Sequence, residues 1–534
     1  MGDSSLHQTR LRSVTAGALI IAVGFVLSKV VGLVRTSVLL ARFGAGDATD
    51  VYLAAFKVPD LIFNILVLGA LSAAFIPVFL QYWNHGDEQP GAWQLASGLM
   101  VVLVLTIGGL AAVAAAFAPQ LVPLIAPGFD AAKQSATVGL TRIMLLATVL
   151  FAFSNVLSGI LTALRRFLAY SLAPLFYNVG IIFGIVVLEP VLGIAGLAWG
   201  VVLGAALHLL IQLPAVIRAG FRFRPRGLFG HTGVRKILKL MAPRTLGLAV
   251  SQVEQTVSVI IASTLAVGSV TVLAAANDLQ TFSINVVGVS MAISVFPLFS
   301  QAFIEKDTRK FAEHFSRSVR RILLLIVPIS VLLLLLRAHI VRVIFGFGQF
   351  DWEDTILTAQ ALGIFALSLF AQSLIPVLAR SFYALQDTFT PVKVSVVSVV
   401  VNISLAIVFS RLWGVLGIAF AFSIANLLQM SLLYAILRIR VGDLDDAYVL
   451  RSTSRVLFAS AGLAAVVWLM LRVLVAGVDQ ATRIGLFLQA GVAGILGIIV
   501  YVGLILLFAP DEATMVRNWL KRLLRPERRR VEGS

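Results

Sequence analysis

Two cations stand inside a first apolar run of membrane length, GFVLSKVVGLVRTSVLLARFG, at Lys29 and Arg35. A cation at membrane depth costs from about 3 to more than 10 kcal/mol, so it normally faces a partner or a watery cavity. On a helix the two residues are about 9 Å apart along the axis and about 240° apart around it, and their long side chains can still converge. We therefore expect Lys29 and Arg35 to line a cavity that accepts an anionic substrate. The alternative is that Arg35 extends to the membrane surface while Lys29 pairs with an acid such as Asp60.

The second apolar run, residues 51–83, carries Lys57, Pro59 and Asp60 near its start. Pro59 removes a backbone hydrogen bond and bends the helix, which is tolerated where the bend lines a cavity or is supported by neighbours. Lys57 and Asp60 are one turn apart, so they can pair with each other. The sequence is equally compatible with Lys57 serving the substrate cavity.

Further polar residues occur in apolar runs of the second half. Arg244 and Glu254 share one run, Asp278 lies in the next, and Asn402 lies in a later one. Because intramembrane acids mark ion and proton pathways, Glu254 and Asp278, with Asn402, are candidates for ion or proton coupling. The alternative is that the two acids neutralise the cations of the first half.

No catalytic motif is found: the sequence has no GxxxxGK[ST] loop, no HExxH and no GxSxG. Cysteine is absent, and of six scattered histidines only His208 lies deep in an apolar run, where a hydrogen bond to a neighbouring helix is the commoner role. We therefore predict a transporter rather than an enzyme, with no metal site and no cofactor. Transport is then driven by a monovalent cation or proton gradient, the membrane potential or the substrate's own gradient.

The composition sets the class of protein that positions these residues. Of 534 residues, 59% are hydrophobic and 13% are charged, and apolar runs of about 20 residues alternate with short charged clusters. This predicts an all-α polytopic membrane protein with about 14 transmembrane helices. The expected spans lie near residues 15–41, 51–83, 93–118, 137–163, 170–189, 191–217, 237–263, 268–303, 319–345, 355–384, 390–410, 413–437, 453–475 and 483–508.

The basic residues predict the orientation. With the N-terminus inside, about 30 of the 42 Lys and Arg residues fall on the inner side, so both termini are expected in the cytoplasm. The net charge of +17 is explained by this topology and by contact with anionic membrane lipids, and not by nucleic acid. The basic tail at 521–530 is read in the same way, rather than as a binding site for a partner.

A short repeat suggests an internal duplication. VLGIA occurs at 191–195 and at 415–419, with Asn178 and Asn402 equally far upstream. A unit of about 220 residues and six spans gives two lobes of the same orientation, which are parallel-related, plus two C-terminal helices. The predicted domains are a six-helix lobe at 1–217, a cytoplasmic linker at 218–236, a second six-helix lobe at 237–437, two extra transmembrane helices at 438–510 and a basic cytoplasmic tail at 511–534.

Four stretches carry a family resemblance: SKVVGLVRTSVLLARFGAGDATDVYLAAFKVPD (28–60), GALSAAFIPVF (69–79), GILTALRRFLAYSLAPLFYN (159–178) and YALQDTFTPVKVSVVSVVVN (383–402). They resemble the MurJ (MviN) lipid II flippases, of the multidrug, oligosaccharidyl-lipid and polysaccharide exporter superfamily. The resemblance implies two lobes, a bacterial cytoplasmic (inner) membrane location and export of an undecaprenyl-diphosphate-linked peptidoglycan precursor by alternating access. It also implies that the family's cavity cations fall on Lys29 and Arg35 and that its loop aspartate falls on Asp50.

The chain departs from the family pattern at four positions. Phe63 and Leu68 stand where the family typically has a cavity arginine and a glutamate, and Asp278 and Thr281 stand where it has a second such pair. We expect Lys57 or Arg244 to compensate for the missing cations, or the substrate to differ. The predicted substrate-binding residues are therefore Lys29, Arg35, Asp50, Lys57 and Arg244.

Two further functions are compatible with the sequence. One is a flippase for another lipid-linked oligosaccharide, such as an O-antigen or capsule unit. The other is a non-transporting membrane scaffold that binds cell-wall synthesis proteins through its basic tail and linker.

Overall fold

The structure is a computed structural model that describes residues 2–65, 71–84, 90–224, 231–476, 482–515 and 517. For residues 2–22, 71–73, 84, 90, 242–249, 251 and 476 it describes the backbone but not the side chains. In this part of the chain every regular element is helical. The predicted all-α fold class is therefore confirmed. The chain divides into two compact units, one formed by residues 1–272 with 347–354 and the other by residues 273–346 with 355–534.

Unit 1 contains the residues of the predicted cavity and packs its core between α4, α5 and α7. Buried side chains from these helices, among them Phe75, Phe79 and Leu99, form one apolar cluster. The helices are α1 (Gly2–Phe43), α2 (Asp47–Ala55), α3 (Lys57–Phe63), α4 (Leu71–Asn84), α5 (Pro90–Ala116), α6 (Ala118–Ile125), α7 (Ala131–Ala163), α8 (Phe167–Phe183), α9 (Glu189–Leu192), α10 (Ala195–Leu210), α11 (Leu213–Ile217) and α12 (Thr232–Ser263).

Unit 2 has its own core, which joins α14, α15, α16 and α19 around Phe299, Phe315 and Phe382. At one end Arg320 of α15 forms a buried ion pair with Glu512, 3.5 Å apart, and stacks over the Tyr448 ring. The first residues of α13 (Ser269–Ile284) and of α16 (Trp352–Ala384) belong to unit 1, and the rest of both helices belongs to unit 2. The other helices of unit 2 are α14 (Ser290–Ile304), α15 (Thr308–Ile344), α17 (Phe389–Trp413), α18 (Val415–Val441), α19 (Asp446–Val473) and α20 (Arg483–Phe508).

Twelve helices in the described part of the chain are long and apolar enough to cross a membrane. They correspond to twelve of the predicted spans. The predicted span at 51–83 is divided among α2, α3 and α4, and residues 66–70 within it lie outside the described residues. The predicted span at 237–263 falls within α12, whose side chains at 242–249 and 251 are not described.

A matching turn occurs in both units, in a different register from the VLGIA repeat. Gly193 and Gly414 adopt φ of 60° and 57°, and each accepts a hydrogen bond from the amide of a glycine three residues later, Gly196 or Gly417. VLGIA contains the turn glycine in its first copy but follows it in the second, so the predicted register is wrong. The turn lies where a glycine has a positive φ, a conformation that glycine adopts without strain, and not where the two VLGIA sequences align. The lobe boundaries stay a prediction.

The glycine ridge on α10 packs against α8. A Cβ atom at Gly180 would lie 2.4 Å from Gly204 Cα, and one at Gly184 would lie 2.4 Å from Gly200 Cα. These distances are too short for any side chain, so the two helix backbones are in direct contact. The small residues therefore serve helix packing, as is typical of membrane helices.

Candidate functional site

The two predicted cavity cations lie on α1, which packs along α8. Lys29 is exposed and Arg35 is half-buried. Close contact between the helices begins at Gly24, where a Cβ atom would lie 2.5 Å from Ser171 Cβ, and continues to Gly32, which faces the Asn178 amide. Arg35 lies about one turn beyond this contact, and its guanidinium donates to the Thr36 hydroxyl at 3.4 Å.

The helix of the second run breaks between α2 and α3, just before Pro59. The chain turns at Phe56, whose carbonyl accepts the Asp60 amide at 2.8 Å. Pro59 has no N–H to donate to the Ala55 carbonyl one turn earlier. Thr141 of α7 supplies the missing donor, with its Oγ1 3.3 Å from that carbonyl. The helical hydrogen bond that Pro59 was predicted to remove is therefore missing, and a neighbouring helix supplies the donor, while Phe56 keeps right-handed helical dihedral angles.

A cavity of about 280 Å³ lies inside unit 1, between α3, α7, α8 and α10. Apart from the Thr148 hydroxyl on α7, polar side chains face it from three helices: Asp60 and Asn64, one turn apart near the break, Tyr177 on α8 and His208 on α10. The volume is ample for several water molecules, which need polar partners such as these. The remaining lining residues are Phe56, Pro59, Phe63, Met144, Ala147, Thr148, Phe151, Pro174 and Val201.

Asp60 is the carboxylate of this cavity and it lies within the electric field of two cations. The charges of Lys57, on its own helix, and of Arg35, on α1, both act on it. Arg35 also acts on the phenols of Tyr52 and Tyr177. The structure thus brings together Arg35, Lys57 and Asp60, three of the intramembrane charges singled out in the sequence.

His208 is held by a buried polar network. Its Nδ1 lies 2.6 Å from Ser154 Oγ, and the Gln212 amide donates to the same hydroxyl at 2.8 Å. Ser158 in turn donates to Gln212 Oε1 at 2.8 Å. The expected hydrogen bond of this histidine to a neighbouring helix, α7, is present. The network holds the His208 ring through Nδ1, and the same ring lines the cavity.

Asp50, in α2, is almost fully buried at 4% exposure. Its Oδ2 accepts the Gly268 amide at 2.8 Å, and its Oδ1 accepts the Thr271 amide at 2.9 Å and the Thr271 hydroxyl at 2.6 Å. Burial raises the pKa of Asp50, and the bonds from Thr271 and Gly268 offset part of this rise. The carboxylate therefore caps the first turn of α13, and its predicted contact with substrate stays a prediction.

The loop that precedes Asp50 is packed equally closely. The Ala45 amide donates to Asp354 at 2.9 Å, and the Gln349 amide donates to the Ala41 carbonyl at 2.8 Å. Gly268 and Gly348 have φ of 86° and 64°, and a Cβ atom on either would lie about 2 Å from a carbonyl of this loop. Only glycine fits at these two positions.

The remaining predicted residues are distributed over both units. Lys57 is half-buried on α3, and Glu254 is half-buried on α12. The side chain of Arg244 lies outside the described residues. In unit 2, Asp278 of α13 is exposed and Asn402 of α17 is 2% exposed.

Sequence reasoning named Asp60 and His208 separately and did not bring them into one cavity. The available signal was the i, i+4 spacing of Asp60 and Asn64, which puts both on one helix face beside a proline break. The members of a second polar network, in unit 2, lie in different helices, and the sequence does not show that they meet. There Gln372 donates to Gln280 Oε1 and to Ser368 Oγ, both at 3.0 Å.

Comparisons with known proteins identify the family. The family described as "Lipid II flippase MurJ" matches residues 40–486. A Burkholderia cenocepacia protein named "Lipid II flippase MurJ" is 30% identical over 433 residues, which cover 79% of this chain and 84% of that protein. The chain belongs to the MurJ family of lipid II flippases. A Vibrio cholerae protein named "Probable lipid II flippase MurJ" is 32% identical over 426 residues and covers 78% of this chain and 81% of its own.

Solved structures agree with the MurJ assignment at the level of fold. A structure titled "Lipid II flippase MurJ, inward closed conformation" has a TM-score of 0.76 at 22% identity and covers 93% of this chain and all of its own. An inward-facing multidrug transporter of the MATE family has a TM-score of 0.66 at 16% identity and covers 78% of this chain and 96% of its own. The chain is thus a transporter of the MurJ family and a multi-pass protein of the bacterial inner membrane.

One position where the resemblance implies a family arginine lies in the site. It is Phe63, which lines the cavity and packs its ring 5.1 Å from that of Phe151. Leu68 lies outside the described residues, and Thr281 donates to the Asn277 carbonyl within its own helix. An aromatic contact therefore lies in the cavity of Asp60, and among the described residues Arg35 and Lys57 are the cations whose charges act on this carboxylate.

Proposed function

We propose that this chain is a lipid II flippase, which moves a polyprenyl-diphosphate-linked peptidoglycan precursor from the inner to the outer leaflet and so serves cell-wall synthesis. The observation that carries the proposal is the MurJ family match over residues 40–486. The curated relatives bear this function in their names, and the chain spans more than four fifths of their length.

The α1 cations suit the diphosphate of such a substrate. A guanidinium donates two parallel hydrogen bonds to phosphate oxygens, which makes Arg35 the stronger partner, while an ammonium such as Lys29 acts as a point charge. Lys29 is exposed, so it can meet the headgroup first, and Arg35 is half-buried, with its charge acting on Asp60. The polyprenyl tail stays in the lipid, because its transfer into water is unfavourable.

Lys57 and Arg244 are proposed as further substrate contacts, and Asp50 as a residue of the same region. Asp50 supports the site through its three hydrogen bonds to the start of α13, which fix the corner between α1 and α2. Glu254, Asp278 and Asn402 remain proposed coupling residues for a monovalent cation or proton.

Headgroup transfer proceeds by alternating access, with the substrate exposed first to one side of the membrane and then to the other. We propose that an ion gradient or the membrane potential drives it, without ATP. We also propose that both termini lie in the cytoplasm, where the basic segments would contact anionic lipid headgroups.

The test is a leaflet-accessibility assay for lipid II in cells that have only this protein. Wild type should expose newly made lipid II to an externally added probe, and Arg35→Ala should abolish exposure. Arg42→Ala is a matched control, since this α1 arginine is exposed and pairs with Glu189 at 3.2 Å. Protein in the membrane but no exposure in wild type contradicts the proposal. Exposure of a different lipid-linked glycan instead identifies the other flippase function.

A further inference from the structure

The cavity of unit 1 has features that binding of a diphosphate does not require. It lies between α3, α7, α8 and α10, it holds a carboxylate, and it is lined by Tyr177 and by His208, whose ring is hydrogen-bonded to Ser154. A carboxylate beside a substrate anion raises the energy of the bound state unless its charge is compensated. The acid therefore needs a role of its own.

The charges around Asp60 can be followed helix by helix. On α3 itself Lys57 is one turn away, and α1 supplies Arg35. Tyr177 of α8 and His208 of α10 line the same cavity, and Tyr52 of α2 lies within the electrostatic reach of Asp60.

Two other helices, α5 and α7, pack against α3 and add little charge at this depth. No residue of α5 is ionisable. The two cations of α7 are engaged elsewhere, Lys133 with Asp47 and Arg142 with the Ala115 carbonyl. The ionisable residues of α12 are Arg235, Lys236, Lys239, Arg244 and Glu254.

Arg35 is thus shared between two possible anions. It acts on Asp60 inside unit 1, and it is the proposed partner of the substrate diphosphate. When the diphosphate engages Arg35, Asp60 loses compensating positive charge and gains a negative neighbour. Both changes favour the neutral carboxylic acid.

We propose that Asp60 takes up one proton when an anionic lipid diphosphate engages Arg35, so that the unit 1 cavity is a proton site coupled to substrate binding. The inference rests on the proposed function. The proton comes from solvent and forms an O–H bond on the Asp60 carboxylate; it returns to solvent when the diphosphate leaves. Water in the cavity, between Asp60, Tyr177 and His208, provides the route.

The experiment measures protons and binding together. Purified full-length protein in nanodiscs is titrated with undecaprenyl diphosphate in weak buffer, with a pH indicator for proton uptake and intrinsic fluorescence for binding. Wild type should take up close to one proton per lipid bound, beyond the lipid's own protonation. Asp60→Asn should lose this uptake and bind the lipid at least as tightly, because the competing carboxylate is gone. Asp47→Asn, at an exposed acid that pairs with Lys133, should behave as wild type.

A second measurement uses wild type alone and does not depend on the variant folding. Calorimetric titration in buffers of different ionisation enthalpy gives the number of protons taken up per binding event. Binding without net uptake, or uptake that persists in Asp60→Asn, overturns the inference and leaves the proposed function intact. Absence of binding in wild type contradicts the substrate assignment of the proposed function instead.

Discussion

Asp50 and Asp60 lie on the consecutive short helices α2 and α3, yet their surroundings differ in kind. Asp50 is buried and accepts three hydrogen bonds from neutral donors of Gly268 and Thr271. Asp60 is half-buried, faces a cavity and lies in the field of Arg35 and Lys57. The break before Pro59 separates the two environments.

The difference shows how one residue type serves two purposes. A carboxylate whose acceptor sites are filled by backbone amides is fixed in position, and it stabilises the segments that it joins. A carboxylate compensated by charges can change its protonation state when those charges find another partner. Asp50 is therefore expected to matter for stability, and Asp60 for the transport cycle.

The largest effect is expected from removing the charge of Asp60. Asp60→Asn keeps the shape of the side chain but cannot carry a proton through the cycle. We expect flipping in the leaflet assay to fall by roughly tenfold or more, in line with coupling energies of about 1–3 kcal/mol. The unfolding temperature should stay close to that of wild type.

Asp47→Asn is the matched control for this comparison, and it should flip at the wild-type rate. If Asp60→Asn flips lipid II at the wild-type rate, Asp60 has no role in transport, and the two carboxylates do not differ in function. If it flips poorly only because the protein unfolds, Asp60 belongs with Asp50 as a structural residue.

A smaller effect, on stability, is expected at Asp50. Asp50→Ala leaves the Gly268 and Thr271 amides without their acceptor, which costs about 1–3 kcal/mol for a buried group. Thermal unfolding in one detergent should show a lower midpoint than wild type. Asp47→Ala should change it much less, because an exposed ion pair contributes about 0–1 kcal/mol. An unchanged midpoint for Asp50→Ala would show that the α13 cap is not a stabilising contact.

The sequence was sufficient for the features that depend on local signals. Apolar run length predicted the helical membrane fold, the cost of intramembrane charge singled out Arg35, and the missing amide of Pro59 predicted the break. The partners of Asp50 and His208 could not be predicted, because they lie in distant segments that only tertiary packing brings close. The alignment of the two VLGIA sequences did not predict the matching turn for a related reason. The turn depends on the positive φ of Gly193 and Gly414, which a match between sequences does not show.

The smallest effect is expected from a substitution at Thr141, which tests the helix break between Asp50 and Asp60. Thr141 donates to the Ala55 carbonyl that Pro59 leaves without a helical partner. Thr141→Val removes this bond at nearly constant volume and should cost about 1 kcal/mol in thermal unfolding. In a Pro59→Ala background the new amide can bond to Ala55 itself, so the same Thr141→Val change should cost much less. This coupling between the two substitutions is the quantity to measure, since a double-mutant cycle isolates it from their separate effects. An equal cost in both backgrounds would mean that Thr141 does not support the break, and that the separation of Asp50 from Asp60 has another cause.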